Sequence, residues 1–243
     1  MAKKELSTKE KLTKKIREIN PALDTWEIWE ALMSVFSCSI ANAVETDKKI
    51  YDKREKEFKR AMSKLNNAEA IAETFILLNM AIMENPCTDI LGELYMSLKL
   101  GNHWKGQFFT PQNVAEMMAK ICMGKEAALE AVKENDCVSV EDPCCGSGVM
   151  LLAGAKNLAE YDVNYQRKAL FVGQDIDRIV VQMCYIQLAL NECIGYVCVA
   201  DSLKNPIIYD ENGVLQAQPG QEFWFTPRYT LCKLQNEASE KSA

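Results

Sequence analysis

Apolar residues recur at two different spacings along the chain, and the change falls near residue 100. Before it the repeat is helical. Ile71, Phe75, Leu78 and Ile82 are separated by four, three and four positions, which puts them on one face of a helix. Ser7-x-x-Glu10 is a capping-box pattern that opens a basic helix through Ile19, and Asn20-Pro21 ends it. Asp24 with Glu27 opens a second helix carrying Trp26, Trp29, Met33 and Phe36. Asp47 to Leu65 reads as a third, Pro86 closes a fourth, and Ile90, Leu91, Leu94 and Leu98 mark a short fifth. Residues 1–100 therefore predict a helical N-terminal domain.

Past Gly101 short β-branched runs take over and alternate with helical segments. Cys137–Val140, Ala169–Gly173 and Tyr196–Val199 read as strands, with helices over Met150–Ala159 and Asp177–Asn191 between them. This βαβαβ order predicts a parallel, doubly wound sheet with right-handed crossovers. The second domain then covers 101–243, with a glycine-containing connector near residues 100–106. Glu222–Phe225 reads as a fourth strand, Asp210–Gly213 and Pro219-Gly220 as turns, and the tail from Asn236 as disordered.

Composition removes several classes of function. The chain has 243 residues, 48% hydrophobic and 26% charged, as expected of an ordinary globular protein. Its first residues lack the apolar core of a signal peptide, and Ala68–Met83 is interrupted by Glu69 and Glu73, so a cytoplasmic protein without a membrane span is expected. Ten cysteines occur without a C-x-x-C pair, and His103 is the single histidine, so no metal site is expected and most thiols should pack as small buried hydrophobes. The net charge of −6 disfavours DNA binding by this chain alone. Residues 47–64 are the exception, with eight Lys or Arg against four Asp or Glu. They read either as a solvated helix face or as a strip facing DNA or a partner.

The residues with chemical content cluster at strand ends. Glu141-Asp142-Pro143-Cys144-Cys145-Gly146-Ser147-Gly148 follows the first strand, and its glycines let a backbone approach a ligand closely. Position 151 is Leu, so the G-x-G-x-x-G spacing of a dinucleotide site is not met and a nicotinamide enzyme is disfavoured. A carboxylate before the glycines suits a ligand's ammonium group. Gly173-Gln174-Asp175-Ile176-Asp177 ends the second strand, where an acid can take both hydroxyls of a ribose. Ala200-Asp201-Ser202-Leu203 ends the third, where an acid can accept from an adenine amino group. Each acid alone fits a helix cap; three in register behind a glycine loop fit a nucleoside site.

These motifs resemble those of adenine-N6 DNA methyltransferases, in family order. Asp142-Pro143-x-Cys145-Gly146-Ser147-Gly148 is similar to their methionine-binding loop, and Gly106-Gln107-Phe108-Phe109-Thr110-Pro111 to their Gly-x-Phe-(Phe/Tyr)-Thr-Pro segment. The helical N-terminal region resembles the modification subunits of type I restriction-modification systems. The resemblance implies an abbreviated Rossmann-like α/β domain that uses S-adenosyl-L-methionine to methylate adenine N6 in DNA. It implies a cofactor site made of Phe109, Thr110, Pro111, Asp142, Cys144, Gly146, Gly148, Asp175, Ile176, Asp201 and Ser202. Thr110 and Pro111 would meet the methionine carboxylate at a helix N-terminus, Asp142 the ammonium, Asp175 the ribose and Asp201 the adenine. Thr110 could equally be an N-cap with Pro111 at the first helical position.

The family's Asn/Asp-Pro-Pro-Tyr/Phe motif, which holds the flipped base, is not present. Thr226-Pro227-Arg228-Tyr229, after the fourth strand, is the nearest equivalent, with Thr226, Pro227 and Tyr229 as degenerate catalytic candidates. The chain also stops before the later strands and recognition region expected of the family. DNA is the implied partner, reached with a specificity subunit or through self-association. A catalytically silent cofactor-binding relative is the alternative.

Overall fold

The computed structural model describes residues 6–100 and 109–240, with side chains as far as Gln235. All of the expected connector at 100–106 except Leu100, with His103, and Gly106 to Phe108 thus lie outside the described residues. Five helices come first: α1 (Thr8–Glu18), α2 (Thr25–Asn42), α3 (Lys48–Leu65), α4 (Ala68–Glu84) and α5 (Ile90–Ser97). Both capping boxes form. The Glu10 N–H donates to Ser7 Oγ and that of Glu27 to Asp24 Oδ1, while each glutamate accepts from the backbone of its cap residue. Asn66, at φ +48°, ends α3 in the left-handed conformation that stops a helix.

Two helices that the periodicity did not resolve, α6 (Gln112–Cys122) and α7 (Lys125–Asn135), precede β1 (Val138–Asp142). Then follow α8 (Val149–Glu160), the single turn α9 (Tyr165–Lys168), β2 (Ala169–Asp175), α10 (Arg178–Leu190) and β3 (Ile194–Val199). A small hairpin, β4 (Ile208–Tyr209) with β5 (Leu215–Gln216), leads to β6 (Glu222–Phe225) and α11 (Pro227–Glu240). The segment from Asn236, expected to be disordered, continues α11 to Glu240. Its composition (Asn, Glu, Ala, Ser, Glu) contains neither glycine nor proline to stop the helix.

The sheet order is β1-β2-β3-β6. β1, β2 and β3 are parallel, as the alternation predicts, but β6 runs antiparallel to β3. The doubly wound expectation is also corrected. Register puts Val140, Phe171, Val197 and Trp224 on one face. Gly154 of α8 approaches Val140 there, and Tyr185 of α10 packs on Trp224, so both crossover helices cover that face. The opposite face carries the row Glu141, Val172, Tyr196 and Phe225. α11 covers only its β3–β6 side, through Tyr229 stacked on Phe225 at 5.3 Å.

The helical region and the sheet share one hydrophobic core. α10 lies between the sheet and α2, and its residues Val180 to Leu188 are all buried, Gln182 and Gln187 among them through hydrogen bonds. α2 adds Trp29, Leu32, Met33 and Phe36 to the same core, and its Ser37 hydroxyl accepts from Gln182 of α10 at 3.0 Å. Arg178, at the start of α10, ties three elements together: its guanidinium pairs with Glu57 of α3 and Glu222 of β6 at 2.8–3.2 Å. Arg54 and Arg178 both lie over the Trp224 ring, at 4.8 and 5.5 Å. All ten thiols are free and six are buried.

Candidate functional site

The carboxyl ends of three parallel strands bring three acids together. Asp142 closes β1 and Asp175 closes β2, while Asp201 stands just beyond β3, on a turn that begins where the Ala200 N–H donates to the Asp175 carbonyl. This is the end of a parallel sheet where ligands of α/β proteins sit. Loops carry the acids, and the acids in turn shape the loops. Asp142 Oδ1 accepts from the Cys144 N–H at 2.9 Å. Asp175 accepts from the N–H groups of Gly146 and Asp177, both at 3.0 Å. Asp201 Oδ1 accepts from the N–H groups of Leu203 and Lys204, and its other oxygen lies 3.4 Å from Lys204 Nζ.

Charge at this end is unbalanced. Burial, with the neighbouring charge of Asp175, pushes the Asp142 carboxyl above the usual aspartate range. Asp201 is held below it, chiefly by the Leu203 N–H, with Lys204 adding to the effect. Among the described residues no lysine or arginine is paired with Asp142 or Asp175. Two close carboxylates without a cation match a ligand that brings positive charge of its own.

The glycine loop needs its glycines. Gly146 sits at φ +52° and Gly148 at φ +96°, where a side chain is strained. A Cβ on Gly148 would also lie 2.7 Å from the Cys184 sulfur of α10. Below the loop lies a buried polar cluster that the sequence reading missed. The Ser147 hydroxyl donates to Asp89 Oδ2 at 2.5 Å, and Gln187 Nε2 donates both to Asp89 Oδ1 and to the Ser147 carbonyl at 2.8 Å. Asp89, the N-cap of α5, takes a third bond from Gly92, and burial pushes its carboxyl up. The signal for it was the N-cap position alone, and a cap residue does not say which loop it will meet.

Other predicted positions gather here. The Phe109 ring lies over Gly146, where an added Cβ would meet it at 3.4 Å, and meets Tyr95 edge-on at 5.1 Å. The Cys144 sulfur and Ser202 hydroxyl are 3.9 Å apart, so the loops after β1 and β3 meet. Ile176 is 70% exposed and Leu203 94%, leaving two large apolar side chains uncovered beside the acids. Leu203 was not among the expected site residues. Thr110 is not the N-cap of α6. Pro111 is, with α6 starting at Gln112 and no side chain capping it. Its first N–H groups are thus available to an anion.

Thr226, Pro227 and Tyr229 lie elsewhere. Because β6 is antiparallel, its carboxyl end meets the amino end of β3, with Phe225 opposite Tyr196. Thr226 is fully buried there: its hydroxyl donates to the Cys193 carbonyl at 2.8 Å and accepts from the N–H groups of Gly195 and Tyr229. At about 3.3 Å per residue, the length of β3 separates it from the acids by roughly 15–20 Å. Pro227 starts α11, and Tyr229 stacks on Phe225 and meets Tyr196 edge-on at 5.4 Å. The three residues close an edge of the core. A strand followed by Thr-Pro-x-Tyr fits the expected motif in one dimension, but nothing in its spacing reports strand direction.

The family model described as N-6 DNA Methylase matches residues 88–216. The type I restriction enzyme MpnII methylase subunit of Mycoplasma pneumoniae is 29% identical over 113 residues, covering 44% of this chain. The chain spans 19% of the length of that relative. Among solved structures, a putative class I S-adenosylmethionine-dependent methyltransferase of Listeria monocytogenes aligns with 15% identity and a TM-score of 0.42. That alignment covers 93% of this chain and 68% of the other. The type I restriction-modification methyltransferase subunit of Streptococcus thermophilus aligns at 18% and 0.41, over 82% and 41% of the two chains.

Proposed function

The chain belongs to the N-6 DNA methylase family, whose model covers more than half of it, and from that membership we propose that it carries the methyl-donor half of an adenine-N6 DNA methyltransferase of the type I modification class. The observation that carries the reading is the pair of strand-end acids Asp142 and Asp175, with no ion-paired cation among the described residues, behind a glycine loop. S-adenosylmethionine suits this group because it is a nucleoside with an ammonium, a carboxylate and a positively charged sulfur. When bound, it supplies a methyl carbon activated by that sulfonium.

Each residue then has a task that its surroundings support. Asp142 holds the ammonium and is held in turn by the Cys144 N–H. Asp175 keeps lone pairs for a ribose diol after accepting from Gly146 and Asp177. Asp201 and Ser202 face the adenine, with Ile176 and Leu203 offering apolar cover to the purine. Gly146, Gly148 and Cys144 form the loop against which the aminoacyl chain runs. The uncapped start of α6, behind Phe109, Thr110 and Pro111, receives the carboxylate.

For the DNA, the basic helix provides a path. Lys53, Lys56 and Arg60 fall on one face of α3 at spacings of three and four, and all are exposed. They line a groove of about 520 Å³ with Arg178, which follows the site loop after β2. Phosphates held there would approach the carboxyl end of the sheet.

Calorimetry with S-adenosylmethionine and S-adenosylhomocysteine tests the reading. Saturable binding is expected at micromolar ligand, and absence of heat and of any thermal shift at millimolar ligand would refute it. Tritiated methyl transfer to mixed-sequence DNA measures the activity itself.

A further inference from the structure

The glycine loop and the start of α6 come from different parts of the chain, and the helices beside them meet through small side chains. Ala115 and Ala119 of α6 lie against Val149 and Ala153 of α8, which follows the loop. Small residues raise only shallow ridges, so this face sets how close the helices come and does little to stop them sliding. The contacts that fix the slide are polar, and they converge on Asp89. Its carboxylate takes the Ser147 hydroxyl of the loop at 2.5 Å and Gln187 Nε2 at 2.8 Å. Its backbone N–H donates to Gln112 Oε1 at 3.1 Å, and Gln112 is the first residue of α6. Gln112 Nε2 donates back to the Cys87 carbonyl at 3.4 Å. One residue thus grips the loop with its side chain and the helix start with its main chain.

The segment around Asp89 is specified more tightly than capping α5 requires. Cys87 stands at φ +56°, a left-handed conformation costly for a residue with a side chain, and its N–H donates to Asn191 Oδ1 at 2.8 Å. At Gly92 an added Cβ would lie 2.0 Å from Asp89 Oδ2, so the carboxylate fills the space of a missing side chain. A cap needs only an oxygen near the first N–H groups of its helix. Asp89 itself is 4% exposed beneath the loop, out of reach of a ligand above it.

We propose that Asp89 and Gln112 are positioning residues for the amino-acid end of the methyl donor. They fix the distance between the loop along which that chain runs and the helix start that receives its carboxylate. The nucleoside end is held independently: Asp201 by the N–H groups of Leu203 and Lys204, and Asp175 by that of Asp177. This inference rests on the function proposed above and adds to it two residues that act through others.

Calorimetry on the full chain with two ligands separates the ends. S-adenosylhomocysteine carries both, whereas 5′-methylthioadenosine has the same nucleoside and thioether sulfur without the ammonium or the carboxylate. Gln112→Ala, at a half-buried position, should weaken S-adenosylhomocysteine by at least about tenfold and 5′-methylthioadenosine by less than about threefold. Asp89→Ala should give the same split. Asp89→Asn can still accept from Gly92 and Gln187 and can donate to the Ser147 hydroxyl, so it should restore S-adenosylhomocysteine to within about threefold of the wild type. If Asp89→Ala does not fold, the other two variants decide.

Equal losses of the two ligands would assign both residues to general stability, and no loss would leave the register to the apolar face; either overturns the proposal. Failure of Asp89→Asn to restore binding overturns it as well, because charge and not position would then be at work. A wild type that binds neither ligand refutes the function proposed above. A wild type that binds both, with variants that lose them equally, removes this inference alone.

Discussion

The two ends of the sheet are built for opposite purposes, although β3 runs through both. At its carboxyl end the backbone takes left-handed turns at Gly146 and Gly148, and two acids lie close together with no cation paired to them among the described residues. At its amino end Thr226 bridges Cys193 and Gly195, and Phe225, Tyr229 and Tyr196 pack ring against ring. One end holds unbalanced charge and turns that only glycine takes freely, as sites that bind ligands do. The other spends a hydroxyl and three aromatic rings on cohesion. Substitutions should therefore separate cleanly, with the carboxyl end costing ligand affinity and the amino end costing stability.

The largest separation is expected at Asp175. Asp175→Ala removes the ribose acceptor and also frees the Gly146 and Asp177 N–H groups, so S-adenosylmethionine affinity should fall by about 100-fold or more. Calorimetry reads this directly, and an unchanged affinity would dissolve the contrast. At the other end, Thr226→Val leaves a buried carbonyl and a buried N–H without partners. It should cost about 1–3 kcal/mol in urea unfolding with ligand affinity intact. The Thr226→Asn, Arg228→Pro double substitution, which would repair a catalytic motif if these residues faced the site, should gain no methyl transfer and should lose stability.

Asp142 links affinity to stability with opposite signs. Its folded pKa is raised, so the folded state holds this proton more tightly than the unfolded chain does. The stability it contributes is therefore present at low pH and lost as pH rises through the raised value. Asp142→Asn should raise the melting temperature at neutral pH while weakening S-adenosylmethionine by about tenfold. In the wild type, affinity should fall as pH drops through that raised pKa, because the neutral acid no longer attracts the ammonium. Scanning calorimetry and a pH series of binding constants check both signs. The smallest effect is expected from Lys56→Ala, away from either end. It should lower the salt dependence of DNA binding by about one counterion and leave cofactor affinity alone.

Much of this arrangement was legible in the sequence, for local reasons. Capping boxes at Ser7 and Asp24, the four-three-four repeat of α4 and the β-branched strand cores are short-range signals, and each produced the element expected. The strand-end acids were legible because parallel strands place their following loops at a common end. What failed was non-local. The direction and the neighbour of β6 depend on a long connection through the β4–β5 hairpin, and reversing a strand moves the next residue across the whole sheet. Asp89 escaped for the same reason, since its partners Ser147 and Gln187 lie 58 and 98 positions away.

The Asp89 cluster gives the protein a unit of local unfolding that crosses the usual boundaries. α5, the glycine loop and the second half of α10 cannot part singly. Releasing any one strands a buried carboxylate, a hydroxyl or an amide without its partner, at a cost that favours opening all three together or none. Amide exchange in α5 (Ile90–Ser97) is then governed by the same opening as exchange in residues 146–148. A ligand that quiets the loop will quiet a helix it does not touch.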